Sequence, residues 1–482
     1  MINTKLIIRI LGFLLLIETV LLLTTAGVSF YYGEDDLNSF LLAAGITLTI
    51  GILFTLATNR ANKHLSRRDG YLVVSISWIF ISLFGMIPYY HSGYIPTITD
   101  AYFETISGFT STGSTILDNI EELPHGLLFW RSITQWIGGL GIIFFTIAIL
   151  PIFGVGGVQL FAAESSNPTH DKVYPRIGVT AKWIWAIYTG ITLIETVLLY
   201  AGEMTLFDSI CHSFATTGTG GFSTKQASIA YYQSPYIEYV ISFFMILSGI
   251  NFTLLLLFIT GKFKKISSNS ELKYYLSSIL ILTLIVTIGL NYSTEKGIEE
   301  SFRSAIFQIG SLHTSTGFST ENFMLWKPFL WGLLFIPMIV GGCAGSTSGG
   351  FKCIRIVILG KTARNEFKRI IHPNAVIKEK INKQLIPNTV QTTVLAFSFI
   401  YIITLITSTL LFMGLGVGFL ESFSVVLSSI SNMGPGFGSF GPDFSWSALP
   451  IAAKWLSSFL MLIGRLELFT ILLLFTPAFW RG

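Results

Sequence analysis

Four short segments of this chain, 100–110, 206–217, 299–313 and 418–431, lie between long apolar runs, and small or polar residues ending in glycine follow each one. Those stretches are Ser111-Thr112-Gly113, Gly218-Thr219-Gly220, Ser315-Thr316-Gly317 and Asn432-Met433-Gly434. A helix of about ten to fifteen residues rising ~1.5 Å each cannot cross a hydrocarbon core ~30 Å thick, so each segment must go in and return on one side. A re-entrant loop in hydrocarbon is tolerable only where protein or water satisfies its backbone. Four loops converging on one axis do that for one another. Gly113, Gly220, Gly317 and Gly434 are 107, 97 and 117 residues apart, which reads as one membrane unit written four times.

The long runs are lipid-facing by composition. Apolar residues make up 51% of the chain and charged ones only 12%, against about 25% charged in a soluble domain. Ten spans are expected: 6–30 and 38–58, then the pairs 71–89 and 127–150, 181–201 and 236–260, 275–291 and 328–358, and 389–413 and 450–479. The first run exceeds the roughly 7–15 apolar residues of a signal peptide and lacks a small-residue cleavage site, so it reads as a retained helix. The expected fold is an all-α polytopic membrane protein. Four pseudo-symmetric repeats (helix, re-entrant half-helix, filter, helix) surround one pore, preceded by two extra N-terminal transmembrane helices. The segments are 1–70 (two helices), then the repeats 71–180, 181–274, 275–388 and 389–482. The third repeat carries a broken second helix and a basic cytoplasmic hairpin within 359–388, and the other long linker is 151–180.

Charge sets the orientation. Lys and Arg gather at Arg60–Arg68, Lys172–Lys182, Lys262–Lys273 and Lys352–Lys383, and acids in the alternate gaps, Glu34-Asp35-Asp36, Asp118–Glu122, and Glu295 with Glu299-Glu300. The basic gaps belong on the cytoplasmic side together with both termini. They are topology signals rather than a nucleic-acid surface. Cys211, Cys343 and Cys353 are an odd set beside apolar spans and make no disulfide framework.

A cation leaves water only where oxygens replace its hydration shell. Backbone carbonyls in Thr-Gly stretches do this, because glycine permits the required dihedrals. The candidate ion-coordinating residues are therefore Ser111, Thr112, Gly113, Gly218, Thr219, Gly220, Ser315, Thr316, Gly317, Asn432, Met433 and Gly434. In the second stretch, comparing Thr219-Gly220-Gly221-Phe222-Ser223-Thr224 with Thr316-Gly317-Phe318-Ser319-Thr320 favours Gly220 over Gly218 as the counterpart of Gly113. Each short helix starts near an acid (Asp100 and Glu104, Asp208, Glu299 and Glu300, Glu421), leaving its negative end toward the membrane centre.

Two further features fall inside spans. Gly341, Gly342, Cys343, Ala344, Gly345, Ser346, Thr347, Ser348, Gly349 and Gly350 include five glycines in ten residues and cannot hold a helix. An unwound loop lying in the pore as a gate is expected, the alternative being a close-packing glycine patch. Arg465 and Glu467 lie in the last span, where a charge costs roughly 2.5–3.5 kcal/mol. Arg465 either projects into the cavity and restricts the pore or pairs with Glu467 or another acid across helices. His212 and His313 read as packing and hydrogen-bonding residues. With no catalytic cluster and no nucleotide-binding glycine loop, an enzyme is not expected.

On Phe129-Trp130-Arg131-Ser132 with Gln135-Trp136-Ile137-Gly138-Gly139, on Phe207–Phe214, Asn432-Met433-Gly434-Pro435-Gly436 and 341–350, and on Gly464-Arg465-Leu466-Glu467, the chain resembles the TrkH family. These are the membrane subunits of bacterial Trk potassium uptake systems, in the superfamily shared with KtrB and the plant HKT transporters. The resemblance implies a bacterial inner-membrane potassium pore with K+ bound in the filter and no covalent cofactor. It also implies a homodimer with one pore per subunit, a gate at 341–350, a pore-restricting Arg465, and a cytosolic TrkA ring, nucleotide-binding and regulatory, docked on the basic loops. Ser111, Ser315 and Met433 depart from the family's usual threonine and leucine. The function expected is a potassium-selective translocating subunit, with a K+/H+ or K+/Na+ coupled symporter as the rival reading.

Overall fold

The computed structural model describes residues 2–59, 61, 65–153, 177–374, 380–382 and 384–481. Much of the 151–180 linker with Lys172, parts of the Arg60–Arg68 cluster, and 375–379 with Lys383 of the basic hairpin lie outside the described residues.

The first two helices, α1 (Thr4–Tyr32) and α2 (Leu37–Ala57), form an antiparallel pair. The Asn3 side chain caps α1 by accepting from the Leu6 amide, and Gly33 ends it in the left-handed region at φ 71°. Small residues set the crossing. A Cβ on Gly12 would meet Phe54 Cβ at 2.9 Å, and one on Gly51 would meet Leu16 at 3.0 Å. The Thr19 and Thr47 hydroxyls bond across the same interface at 2.8 Å. Without a hydrophobic force between helices in lipid, such close approach supplies the packing energy.

Then follow α3 (Arg67–Gly85), α4 (Ile98–Phe109), α5 (His125–Phe153), α6 (Ile177–Ala201), α7 (Leu206–Thr217), α8 (Pro235–Ser248), α9 (Phe252–Ile259), α10 (Ser270–Ser293) and α11 (Ile298–His313). The chain ends with α12 (Pro328–Val340), α13 (Cys353–Ile371), α14 (Asn388–Gly414), α15 (Phe419–Ser431), α16 (Ile451–Arg465) and α17 (Phe469–Phe475). The short helices α4, α7, α11 and α15 span 12, 12, 16 and 13 residues. Thr97 and Thr205 cap α4 and α7 by accepting from the amides of Asp100 and Asp208.

Six helices are long and apolar enough to cross a membrane among the described residues, or eight when each bent pair counts as one span. Among the described residues, the helix that follows each glycine stretch is interrupted. α5 kinks at Gly141 (φ 34°, ψ −103°). α8 and α9 meet at 100°, and α16 and α17 at 108°. α12 and α13 are separated by 341–352. The expectation of unbroken spans at 127–150, 236–260 and 450–479 is therefore corrected. Asn251 restarts the second helix by accepting from the Thr253 amide at 2.7 Å, and Glu467 takes φ 53° at the last break. Within the 359–388 linker, α13 continues to Ile371, and Lys380–Ile381 pairs antiparallel with Gln384–Leu385.

Gly51→Leu should force α2 away from α1. The expected cost is about 1–3 kcal/mol of overpacking, read as a lower unfolding temperature in detergent, whereas Gly27→Leu, where nothing lies within 4 Å of a built Cβ, should leave it unchanged.

Candidate functional site

The four glycine stretches share one backbone geometry. Directly after each short helix a residue turns left-handed: Ser111 (φ 54°), Thr219 (φ 50°), Ser315 (φ 54°) and Asn432 (φ 51°). Two residues later stands a glycine with positive φ: Gly113 (84°), Gly221 (74°), Gly317 (87°) and Gly434 (99°). The intervening amides turn back on the helix in the same way, Thr112 to Ser107 O at 2.9 Å, Gly220 to Ala215 O at 2.8 Å, Thr316 to Ser311 O at 2.8 Å, and Met433 to Ser428 O at 3.0 Å. This corrects the register of the second stretch. The counterpart of Gly113 is Gly221, and neither Gly218 nor Gly220 occupies that position. Reading back from Phe222-Ser223-Thr224 against Phe318-Ser319-Thr320 would have found it.

The stretches close into a ring. A Cβ added to Gly113 would collide with the Gly220 carbonyl oxygen, one on Gly221 with that of Thr316, and one on Gly317 with that of Met433. The last link is looser, with a Cβ on Gly434 3.1 Å from Thr112 O. All four glycines line one open cavity of ≈ 70 Å³. Side-chain bonds reinforce the joints between neighbours. Ser114 Oγ donates to Gly434 O at 2.9 Å, and Asn432 Nδ2 donates to Thr112 Oγ1 and to Met461 O, both at 2.9 Å.

The acids near the short helices divide. Asp100, Asp208, Glu299, Glu300 and Glu421 lie in first turns. Glu104 does not act as a cap. It is fully buried and accepts from Arg131 Nε at 2.9 Å and from the Ile116 amide at 3.1 Å. His212 sits between Asp208 O (2.8 Å) and Ser223 Oγ (3.0 Å), and His313 Nε2 meets Ser278 Oγ at 2.7 Å. The three cysteines are free and buried.

The segment 341–350 is unwound and packs directly against the ring. The Gly349 amide donates to Ser315 Oγ at 2.5 Å, and a Cβ on Gly349 would collide with Ser431 O. Its other face joins the break between α8 and α9, with Cys343 N donating to Gly249 O and Phe252 N to Gly345 O, both at 3.0 Å. Charged side chains hold its polar groups. Glu271 Oε1 accepts from the Ala344 amide at 2.6 Å, and Lys352 Nζ donates to Ser348 O.

Arg465 closes the arrangement. Its guanidinium donates to Thr347 O at 3.0 Å and to Gly139 O at 2.8 Å, with Gly138 O also within reach. It thus bridges the unwound segment to α5 just before the Gly141 kink. Glu467, two residues on, forms an ion pair with Arg355. Arg355 also lies over the Phe397 ring at 3.9 Å, and the sequence offered no signal for it beyond membership of a basic cluster.

The family described as TrkH, cation transport protein, matches residues 38–481. The chain is 38% identical over 477 residues to the Trk system potassium uptake protein TrkH of Salmonella typhimurium, covering 98% of each chain. It is 37% identical over 484 residues to the TrkH of Halomonas elongata, covering 99% of this chain and 100% of that one. The crystal structure of the potassium transporter TrkH from Vibrio parahaemolyticus matches at a TM-score of 0.89 and 35% identity, over 100% of both chains.

Glu467→Ala should leave the Arg355 guanidinium without this carboxylate, at a cost of roughly 1–3 kcal/mol for losing a charged hydrogen bond at a half-buried pair. Arg355→Met with Glu467→Leu should recover most of the loss, measured as a double-mutant cycle on detergent unfolding.

Proposed function

The chain belongs to the TrkH family of cation transport proteins, and on that premise we propose that it is the potassium-selective translocating subunit of a Trk-type uptake system in a bacterial inner membrane. The observation that carries the reading is the closed ring of four glycine stretches around one cavity. The membrane unit is repeated four times about that ring, after the α1–α2 pair. Potassium is the substrate. It exchanges water for main-chain oxygens of 111–113, 219–221, 315–317 and 432–434, and the short helices turn their negative ends toward it.

The segment 341–350 is the gate. It lies against the ring and is held by Glu271, Lys352 and Arg465 rather than by helix. Arg465 places a fixed positive charge beside the path, which raises the barrier to a passing cation. Two chains form a homodimer with one pore each, both termini cytoplasmic. A TrkA-type nucleotide-binding ring on the cytoplasmic basic loops moves the gate. A TrkH of that name is a potassium uptake protein in Salmonella typhimurium, and the full-length likeness supports the same cargo here.

Gly113→Ser must displace the Gly220 carbonyl. It should shift the Na+/K+ permeability ratio, read from reversal potentials in proteoliposomes, by about tenfold (~1.4 kcal/mol). An unchanged ratio would remove Gly113 from the filter. Arg465→Ala should raise K+ flux by up to about tenfold, the worth of ~1.4 kcal/mol of barrier. Flux equal to or below the parent's, with folding intact, would contradict a restricting role.

A further inference from the structure

The second glycine stretch contains more glycine than its backbone geometry requires. Of its three glycines only Gly221 takes positive φ, whereas Gly218 and Gly220 do not. Both face Gln135, Gly220 its side chain and Gly218 its backbone carbonyl. A Cβ on Gly220 would collide with the Gln135 carboxamide, and one on Gly218 would lie 2.5 Å from Gln135 O. Gln135 is fully buried on α5. Its Nε2 donates to Gly220 O at 2.8 Å and its Oε1 accepts from the Phe222 amide at 2.9 Å. The side-chain amide thereby brackets Gly221 as a neighbouring strand would. One turn earlier on the same face, Arg131 donates to Ser223 O at 2.9 Å and lies over the Phe222 ring at 4.1 Å. Through Glu104, which also holds the Ile116 amide, Arg131 ties the exit of the first stretch to that of the second. Among the described residues no side chain is seen donating to the matching carbonyls of Thr112, Thr316 or Met433.

We propose that Gln135, backed by Arg131, is a specificity-determining positioning residue: its amide fixes the Gly220 carbonyl so that the ring cannot contract around a cation smaller than potassium. This rests on the filter reading above. A carbonyl oxygen holding a donor gives less electron density to an ion and cannot swing inward without breaking that bond. A smaller ion needs shorter ion–oxygen distances, so sodium meets a ring held open on this side. The requirement for the Gln135 amide also accounts for Gly220, whose hydrogen leaves it room.

The test is Gln135→Met, which keeps the length of the side chain and removes the donor to Gly220 O. Reversal potentials under opposed K+ and Na+ gradients should show the Na+/K+ permeability ratio rising by about tenfold (~1.4 kcal/mol). Gly220→Ala expels the same amide from the other side and should shift the ratio in the same direction, which keeps the test open should Gln135→Met misfold. Unfolding temperatures separate the roles, since a merely structural Gln135 would lower stability with the ratio unmoved. If both variants retain the parent ratio while Gly113→Ser shifts it, the inference is overturned and the filter reading stands. If Gly113→Ser also leaves the ratio unmoved, the filter reading falls and takes the inference with it.

Discussion

A backbone amide or carbonyl inside hydrocarbon costs several kcal/mol if unpartnered, and this chain brings irregular backbone into the membrane region at the four stretches and at the four helix breaks. The stretches answer the constraint by approaching so closely that a Cβ on Gly113, Gly221 or Gly317 has no room beside the neighbouring carbonyl. The breaks answer it by pairing with one another. The second and third exchange backbone bonds, Cys343 with Gly249 and Phe252 with Gly345. The first and third offer carbonyls of Gly139 and Thr347 that share one guanidinium, and that guanidinium, Arg465, ends the helix at the fourth break. One side chain therefore joins three breaks, and hydrogen bonds connect all four.

The four stretches share a backbone but not their surroundings. The first and second are clamped from α5 through Arg131 and Gln135. The third rests on Ser348 and Gly349 of the unwound segment, with Ser315 as the hinge contact. The fourth reaches the first through Asn432 and Ser114. The segment 341–350 thus meets the third stretch at Ser315 and the start of the fourth at Ser431 and Asn432. The start of α10 links it outward: Glu271 holds the Ala344 amide, while the adjacent Ser270 amide donates to Asn382 of the two-stranded hairpin at 2.7 Å.

Periodicity and length made the short helices legible, because segments that cannot span and are followed by Thr-Gly stretches have few other uses. The ten-residue run 341–350 was legible for the same reason, being too rich in glycine for a helix. The other three breaks were not. Gly141, Ser248–Asn251 and Leu466–Leu468 contain no proline and sit in apolar runs that read as continuous, and their partners come from distant segments. The register at Gly221 was hidden by Gly218 and Gly220; Gly220 leaves room for the side chain of a glutamine 85 residues earlier in the chain, and Gly218 for that residue's backbone carbonyl. Glu104 read only as an acid near a helix start because its partner Arg131 lies 27 residues on. Arg355 and Glu467, 112 residues apart, carried no pairing signal at all. Local pattern reports what a segment can become, and it is silent about contacts that the tertiary fold creates.

The central claim is that potassium alone crosses, along a path walled by four main-chain stretches. The direct measurement is the zero-current voltage of this subunit reconstituted in proteoliposomes, with a K+ gradient opposed by a Na+ gradient and the pH difference varied. A voltage that follows the K+ gradient and ignores sodium and protons is the predicted result. One that moves with either would contradict the account and make the protein a coupled symporter, with 341–350 moving as part of an alternating-access cycle.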